Sequence, residues 1–305
     1  MLSEDIERYL ALRQSLGFKL DLPSRRLRAF ARFAAASGDT HVRAATAVAW
    51  AATAPSRGQR HRWLGIVAQL AQFLQAEDPA HEVPPANLFA TPKTRPSPYI
   101  YTQEELIRIV DAAGRLRPNK LNPLRQQTYA TLFGLIAATG LRVSEALNLK
   151  IDDLLPGGIL RIRETKFCKS RLVPLHETVV SALGRYLKMR SRVAGADDHV
   201  FLSAGGRRLP RNTASGAFWQ VLRLADIAPG RARRPRIHDL RHSFATRVLE
   251  QCATRRDAVA RHFVALATYL GHAHAGSTYW YLQATPQLLT DIASATEALA
   301  REEVA

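Results

Sequence analysis

The chain has 305 residues, 47% of them hydrophobic, and its 43 lysines and arginines against 26 aspartates and glutamates give a formal charge of +17 with a pI near 10.7. No apolar run approaches the roughly 20 residues of a membrane-spanning helix, and MLSEDIERYL carries acids where an export signal carries basic residues, so the expectation is a cytoplasmic protein without a membrane partner. Cys168 and Cys252 stand far apart without CxxC spacing, which excludes a disulfide framework or zinc ribbon, and the arginine-rich charge favours a polyanion, nucleic acid ahead of membrane.

Apolar residues recur at helical spacing in four runs: Ile6, Leu10, Leu12 and Leu16; Leu27, Phe30, Phe33 and Ala34; Val42, Ala45, Val48 and Ala49; and Trp63, Ile66, Val67, Leu70, Phe73 and Leu74. Gly17, Gly38, and Pro55 with Gly58 supply the stops. This pattern predicts a helical domain over residues 1–82. Its basic residues, Arg25, Arg26, Arg28, Arg32, Arg57, Arg60 and Arg62, concentrate in the second helix and before the fourth. Such a distribution suits a DNA-facing surface and equally an ordinary solvated face. Pro84, Pro85, Pro92, Pro96 and Pro98 then fall within EVPPANLFATPKTRPSPYI, too many for a helix or central strand, so residues 83–98 are expected to form an extended linker.

Beyond it, a second domain is expected over residues 99–305. Thr102 and Glu105 at capping-box spacing open a helix. PLRQQTYATLFGLIAATG starts the next with Pro123 at the first helical position and stops at Gly140. Two β-prone runs, 159–163 and 171–175, flank a basic turn and are the strand signal of the chain. From His176 onward the pattern is helical, with breaks at Gly195, 205–210, 229–235, Gly271 and Pro286. The fold class is therefore mainly α with a small antiparallel β-sheet.

Chemistry-bearing residues gather in four places. In ATGLRVSEALNL, Arg142 and Glu145 are three apart and share a helical face, an arrangement also typical of surface ion pairs. RETKFCKSRLVPL places Lys166 and Lys169 in the hairpin turn, where lysine is ordinary. In RPRIHDLRHSFATRVL, His238 faces the same way as Arg241, and also as His242. HDLRH resembles the HExxH zinc helix, but Asp is a shorter base, an arginine adds charge beside a dication and no third ligand is apparent, so no metal is expected. In YLGHAHAGSTYWYL, His272 follows the helix-ending Gly271, and Tyr279 and Tyr281 lie about 200° apart around a helix axis, so they cannot both face one target. Aromatic residues in such a segment commonly pack in a core.

Taken together, two arginines suit the non-bridging oxygens of a phosphodiester as negative charge grows there. A lysine can protonate a leaving alkoxide, histidines can move protons near neutrality, and a tyrosine can attack phosphorus to give a covalent intermediate. No cofactor is required.

The segments ATGLRVSEALNL, TKFCKSRLVPL, HDLRHSFAT and LGHAHAGSTYWY, in that order from about residue 98 to 285, resemble the tyrosine recombinases of the phage-integrase and Xer-like group. The basic N-terminal domain and linker resemble that family's core-binding region in kind. The resemblance implies a helical core-binding domain followed by a mixed α/β catalytic domain. It implies that Arg142 and Arg241 clamp the scissile phosphate, that Lys166 is the general acid for the leaving 5′ oxygen, that His238 manages the nucleophile's proton and that His272 hydrogen-bonds the phosphate. Tyr281, nine residues after His272, aligns with the nucleophile, and Glu145 with the acidic position that supports the site. The glycines that commonly flank the lysine are missing, which keeps Lys169 as a rival, and Tyr279 is close enough to Tyr281 to remain one.

The resemblance further implies a site-specific DNA recombinase or integrase working through a 3′-phosphotyrosyl link on double-stranded DNA, as a homo- or hetero-tetramer on synapsed duplexes. The stretch between Arg241 and His272 is longer than in compact members by roughly two helical turns, and with STYWYLQATP it suggests a mobile-element enzyme over a housekeeping one. The alternatives are a type IB topoisomerase, against which the core-binding-like domain argues, and a non-catalytic DNA-binding accessory protein.

Overall fold

The computed structural model describes residues 2–90, 97–120, 122–163, 170–193, 197–227, 234–251 and 256–271, with side chains of the last segment from Phe263 onward. The chain divides into two compact units, Met1–Arg95 and Pro96–Ala305.

The first unit holds α1 (Leu2–Ser15), α2 (Asp21–Ala36), α3 (Ala44–Ala52) and α4 (Arg57–Gln75). Ile6, Leu10, Leu27, Phe30, Trp50, Leu64, Leu70 and Leu74 form its core, with the Trp50 ring stacked on Trp63 at 4.8 Å. Leu12 and Leu16, expected inside, are exposed. With Ile6 and Leu10 facing inward, Leu12 rotates off the buried stripe, Tyr9 takes the place instead, and Leu16 falls beyond the end of the helix. In α3 the buried set is Ala47, Trp50 and Ala51, while Ala45 and Ala49 face out. An alanine-rich run gives weak directional information, and the one large residue, Trp50, decides which face turns in.

Arg28 on α2 pairs with both carboxylate oxygens of Glu7 at 2.6 and 2.8 Å, and Arg26 lies 4.2 Å over the Trp63 ring. Arg25 and Arg32 stay exposed. The start of the proline-rich segment is tied to this unit as well. Glu82 donates its N–H to the Val42 carbonyl at 2.8 Å and accepts from the Ala44 N–H at the start of α3, also at 2.8 Å. Val83 and Phe89 pack on the same core.

In the second unit, α5 (Gln103–Gly114) opens with the expected capping box between Thr102 and Glu105. Helix α6 (Arg125–Thr139) begins after a cap at Leu124, so Pro123 precedes the helix and does not occupy its first position. Apolar residues lie all round α6, which marks a central helix. Tyr129, Leu132, Phe133, Leu135 and Ile136 are all buried, and α6 contacts α5, the short α7 (Val143–Asn148), α8 (Glu177–Arg190), α9 (Arg211–Leu224) and α10 (Ile237–Glu250).

The three-stranded antiparallel sheet runs in the order β1 (Leu154–Leu155), β2 (Ile159–Ile162), β3 (Arg171–Pro174). Strand β1 is too short to carry a periodic signal and exists because its two residues pair with Ile159 and Leu160. The stretch after Arg241 continues as the rest of α10 and as α11 (Arg256–Leu270), which meet through Ala245, Leu249, Leu266 and Leu270. Among the described residues no helix is long and apolar enough to cross a membrane.

Gly140 ends α6 at φ +62, where a Cβ would sit 2.4 Å from Cδ1 of Phe244 and 3.1 Å from Leu270. Gly140→Ala is therefore expected to cost about 1–3 kcal/mol from the left-handed backbone alone. The drop in urea midpoint measures it, and an unchanged midpoint would contradict the packing described.

Candidate active site

The turn at Gly140 delivers Arg142 in an extended conformation to the head of α7, where it is the N-cap. Three residues on, Glu145 turns back toward it. One carboxylate oxygen accepts the Arg142 backbone N–H at 2.9 Å and the other accepts Arg142 Nη1 at 2.6 Å. The pairing expected from spacing is thus present, but it is no surface pair: the Glu145 side chain is 7% exposed and that of Arg142 27%.

A second guanidinium completes the carboxylate. Arg171, the first residue of β3, donates Nη1 to Oε1 at 3.0 Å and Nη2 to Oε2 at 2.8 Å, the two-point geometry for which the planar fork is suited. Sequence reasoning passed over Arg171, because its partner lies in a different element and no local spacing links them. Burial would raise the Glu145 pKa, but the hydrogen bonds and charge of Arg171, followed by the Arg142 N–H and guanidinium, bring it down to about 2. The group is a carboxylate at any physiological pH.

Arg241 enters from α10 and is 1% exposed. Its Nη1 donates to the Gly140 carbonyl at 2.7 Å and its Nη2 to the Leu270 carbonyl at 2.8 Å. Arg142 uses its Nη2 on the next carbonyl, that of Gly271, at 2.7 Å. Two arginines distant in sequence therefore hold successive carbonyls at the end of α11, immediately before His272. Gly271 has φ +65, a backbone that favours glycine, and a Cβ there would lie 3.0 Å from Arg171 Nη1, tight enough that this guanidinium would have to give way slightly.

His238 occupies the first turn of α10 and is half-buried. Burial, reinforced by the positive charge of Arg241, Arg236, Arg211 and Arg142, pushes its pKa down to about 4. The imidazole is thus neutral near pH 7. A cavity of about 330 Å³ opens beside it, lined by Arg211, Ser215, Trp219, Arg236 and Val143.

The HDLRH segment does not assemble as a zinc helix would. Its acid, Asp239, is buried and accepts the Arg236 backbone N–H at 2.8 Å and Arg236 Nη2 at 3.3 Å, so it faces the helix start and not a metal-bound water. The rings of His238 and His242 meet edge-on at 4.9 Å. Tyr269 stacks on Phe244 at 5.8 Å as a packing residue. Lys166, Lys169, His272, Tyr279 and Tyr281 lie outside the described residues.

Residues 100–287 match the model of the phage integrase family. A protein of Sinorhizobium fredii named "Putative integrase/recombinase y4rB" is 37% identical over 94% of this chain and 94% of its own length. The tyrosine recombinase XerD of Oceanobacillus iheyensis is 30% identical over 76% of this chain and 73% of its own. Among solved structures, the Tn1549 transposon integrase in complex with transposon right-end DNA superposes with a TM-score of 0.65 at 17% identity, covering 98% of this chain and 99% of that one. The XerA recombinase does so at 0.52 and 22% identity, with 97% and 99% coverage. On the family match and the curated relatives, with the two solved structures sharing the fold, the chain belongs to the phage integrase family of tyrosine-type site-specific recombinases.

Proposed function

We propose that this recombinase cuts and rejoins double-stranded DNA through a 3′-phosphotyrosyl intermediate, as part of a mobile element. The observation that carries the reading is the convergence of Arg142 and Arg241 on the turn before His272, organised by the Glu145 carboxylate.

In the proposed reaction the Tyr281 oxygen attacks the scissile phosphorus while neutral His238 takes up its proton. Arg142, Arg241 and His272 offset the charge growing on the non-bridging oxygens. Lys166, with Lys169 as its rival, protonates the departing 5′ oxygen. A 5′ hydroxyl of another strand then displaces the tyrosine and restores the phosphodiester, so the bond energy is conserved and no cofactor enters. Arg142 is accessible as it stands. Arg241 reaches a phosphate only once the turn at Leu270 shifts, because its guanidinium is buried against that carbonyl.

Reciprocal exchange between two duplexes breaks four strands, one tyrosine each, which favours a tetramer on synapsed DNA. Double-stranded DNA as partner is supported by the charge of +17 and by the relatives' recombinase names. The mobile-element role rests on the "integrase/recombinase" relatives and on the extended α10–α11 stretch.

A nicked duplex carrying the DNA that flanks the protein's own gene provides the test. Covalent protein–DNA adduct, read on a denaturing gel, is expected from wild type and from Tyr279→Phe but not from Tyr281→Phe. Adduct from Tyr281→Phe alone would move the nucleophile to Tyr279, and none from wild type would remove the recombinase mechanism. Arg142→Ala should slow cleavage by about 10²–10³-fold, with binding reduced only slightly because backbone contacts elsewhere supply most affinity.

The His238 pKa of about 4 against 6.5 for a free imidazole has a definite sign. As pH falls through that window the unfolded chain binds a proton that the folded chain refuses, so stability is lost on the acid side. An NMR titration of the His238 ring, assigned with His238→Gln, should give the low midpoint; one near 6.5 would show that the burial and cationic surroundings are not as described.

A further inference from the structure

Four donors meet on the two oxygens of Glu145: the backbone N–H and Nη1 of Arg142, and Nη1 and Nη2 of Arg171. Arg142 already holds one oxygen through its backbone N–H and the other through Nη1, but the second bond comes from the same side chain that has to be placed, and the terminal torsion of glutamate is broad. The Arg171 fork sets the carboxylate plane independently of that side chain, because two parallel N–H···O bonds form only when guanidinium and carboxylate share a plane. Arg171 is itself anchored: it pairs with Ile162 across the sheet, and its side chain is 13% exposed. It also lies against Gly271, whose carbonyl takes the other Nη of Arg142. A closed circuit therefore runs from β3 through Arg171, Glu145 and Arg142 to the turn before His272.

We infer that Arg171 is a positioning residue of the strand-cleavage reaction, fixing the Glu145 carboxylate and through it the Arg142 guanidinium without touching the phosphate itself. Both of its Nη atoms are committed to Glu145, and it is less exposed than Arg142. Stability gives a weak reason for such a set, since a buried Arg–Glu–Arg cluster gains little over packed apolar groups. Position gives a stronger one. Strand β3 also begins two residues after Lys169, so the anchor that sets Arg142 is the point where the segment bearing both candidate acids rejoins the sheet.

The inference rests on the proposed cleavage reaction, and its test separates the two. Arg171→Lys keeps the charge and loses the fork, with Arg171→Ala as the stronger variant; melting curves accompany both. On the nicked flanking-DNA duplex, single-turnover cleavage by Arg171→Lys should fall roughly 10²-fold, as a displaced catalytic group does, while the dissociation constant for the duplex stays near the wild-type value. In a Glu145→Gln background the same change should cost almost nothing more, because the two act as one unit.

A duplex whose scissile phosphate carries a methyl group in place of one non-bridging oxygen supplies the readout that a purely structural role would not move. With the phosphate charge removed, the losses from Arg142→Ala and from Arg171→Lys should shrink together. A wild-type cleavage rate in both Arg171 variants would overturn the inference. So would losses that multiply with Glu145→Gln, or that persist in full on the neutral duplex. Wild type that forms no adduct on the unmodified duplex would instead remove the cleavage reading, and this inference with it.

Discussion

The carboxylate of Glu145 takes four N–H donors into a space almost closed to solvent, and the geometry around it depends on that one group. Through it the head of α7 is bound to the first residue of β3, and through the Arg142 guanidinium to the end of α11. Arg241 closes the other side by joining the end of α6 to the same turn. A buried carboxylate without such partners would take up a proton; here the two arginines hold it charged, and the charge in turn holds them. The pair of glycines at 140 and 271 favours the approach, since both adopt left-handed backbone and a Cβ at 140 would collide with Phe244.

That arrangement concentrates positive charge. Arg142 and Arg171 share the Glu145 carboxylate, Arg236 pairs with Asp239, and Arg241, Arg236, Arg211 and Arg142 add to the burial that keeps His238 neutral. An anion entering such a site meets Arg142 at its partly open face, whereas Arg241 must first leave the Leu270 carbonyl. The same crowding adds to burial in keeping this histidine neutral where a free one would be partly charged. In the N-terminal unit the basic residues divide differently: Arg28, though exposed, pairs with Glu7 and Arg26 lies on Trp63, while Arg25 and Arg32 are exposed cations of α2 outside those two contacts. A count of arginines in a helix therefore overstates the charge available to a partner.

The family was legible in the chain because four short segments keep their residue types and order, and the fold class followed from periodicity and turn chemistry. Residues in α4 and α5, where large apolar side chains repeat and a capping box marks the start, announced themselves. Errors came where the local signal was thin. Alanine in α3 does not say which way it faces; Leu12 fits an apolar count but not the angle of the buried stripe, and Leu16 lies past the helix end; Pro123 stood before its helix, since a cap at Leu124 intervened.

By itself the sequence determined the helical units, the hairpin runs, the local Arg142–Glu145 spacing and the shared face of His238 and Arg241, because each of these is a relation between residues a few positions apart. Only the tertiary structure decided that Glu145 is buried, that Arg171 rather than solvent completes it, and that Arg142 and Arg241 end on adjacent carbonyls. Those contacts join residues separated by long stretches of chain, and their geometry is set by how α6, α10, α11 and the sheet pack, which no local pattern records.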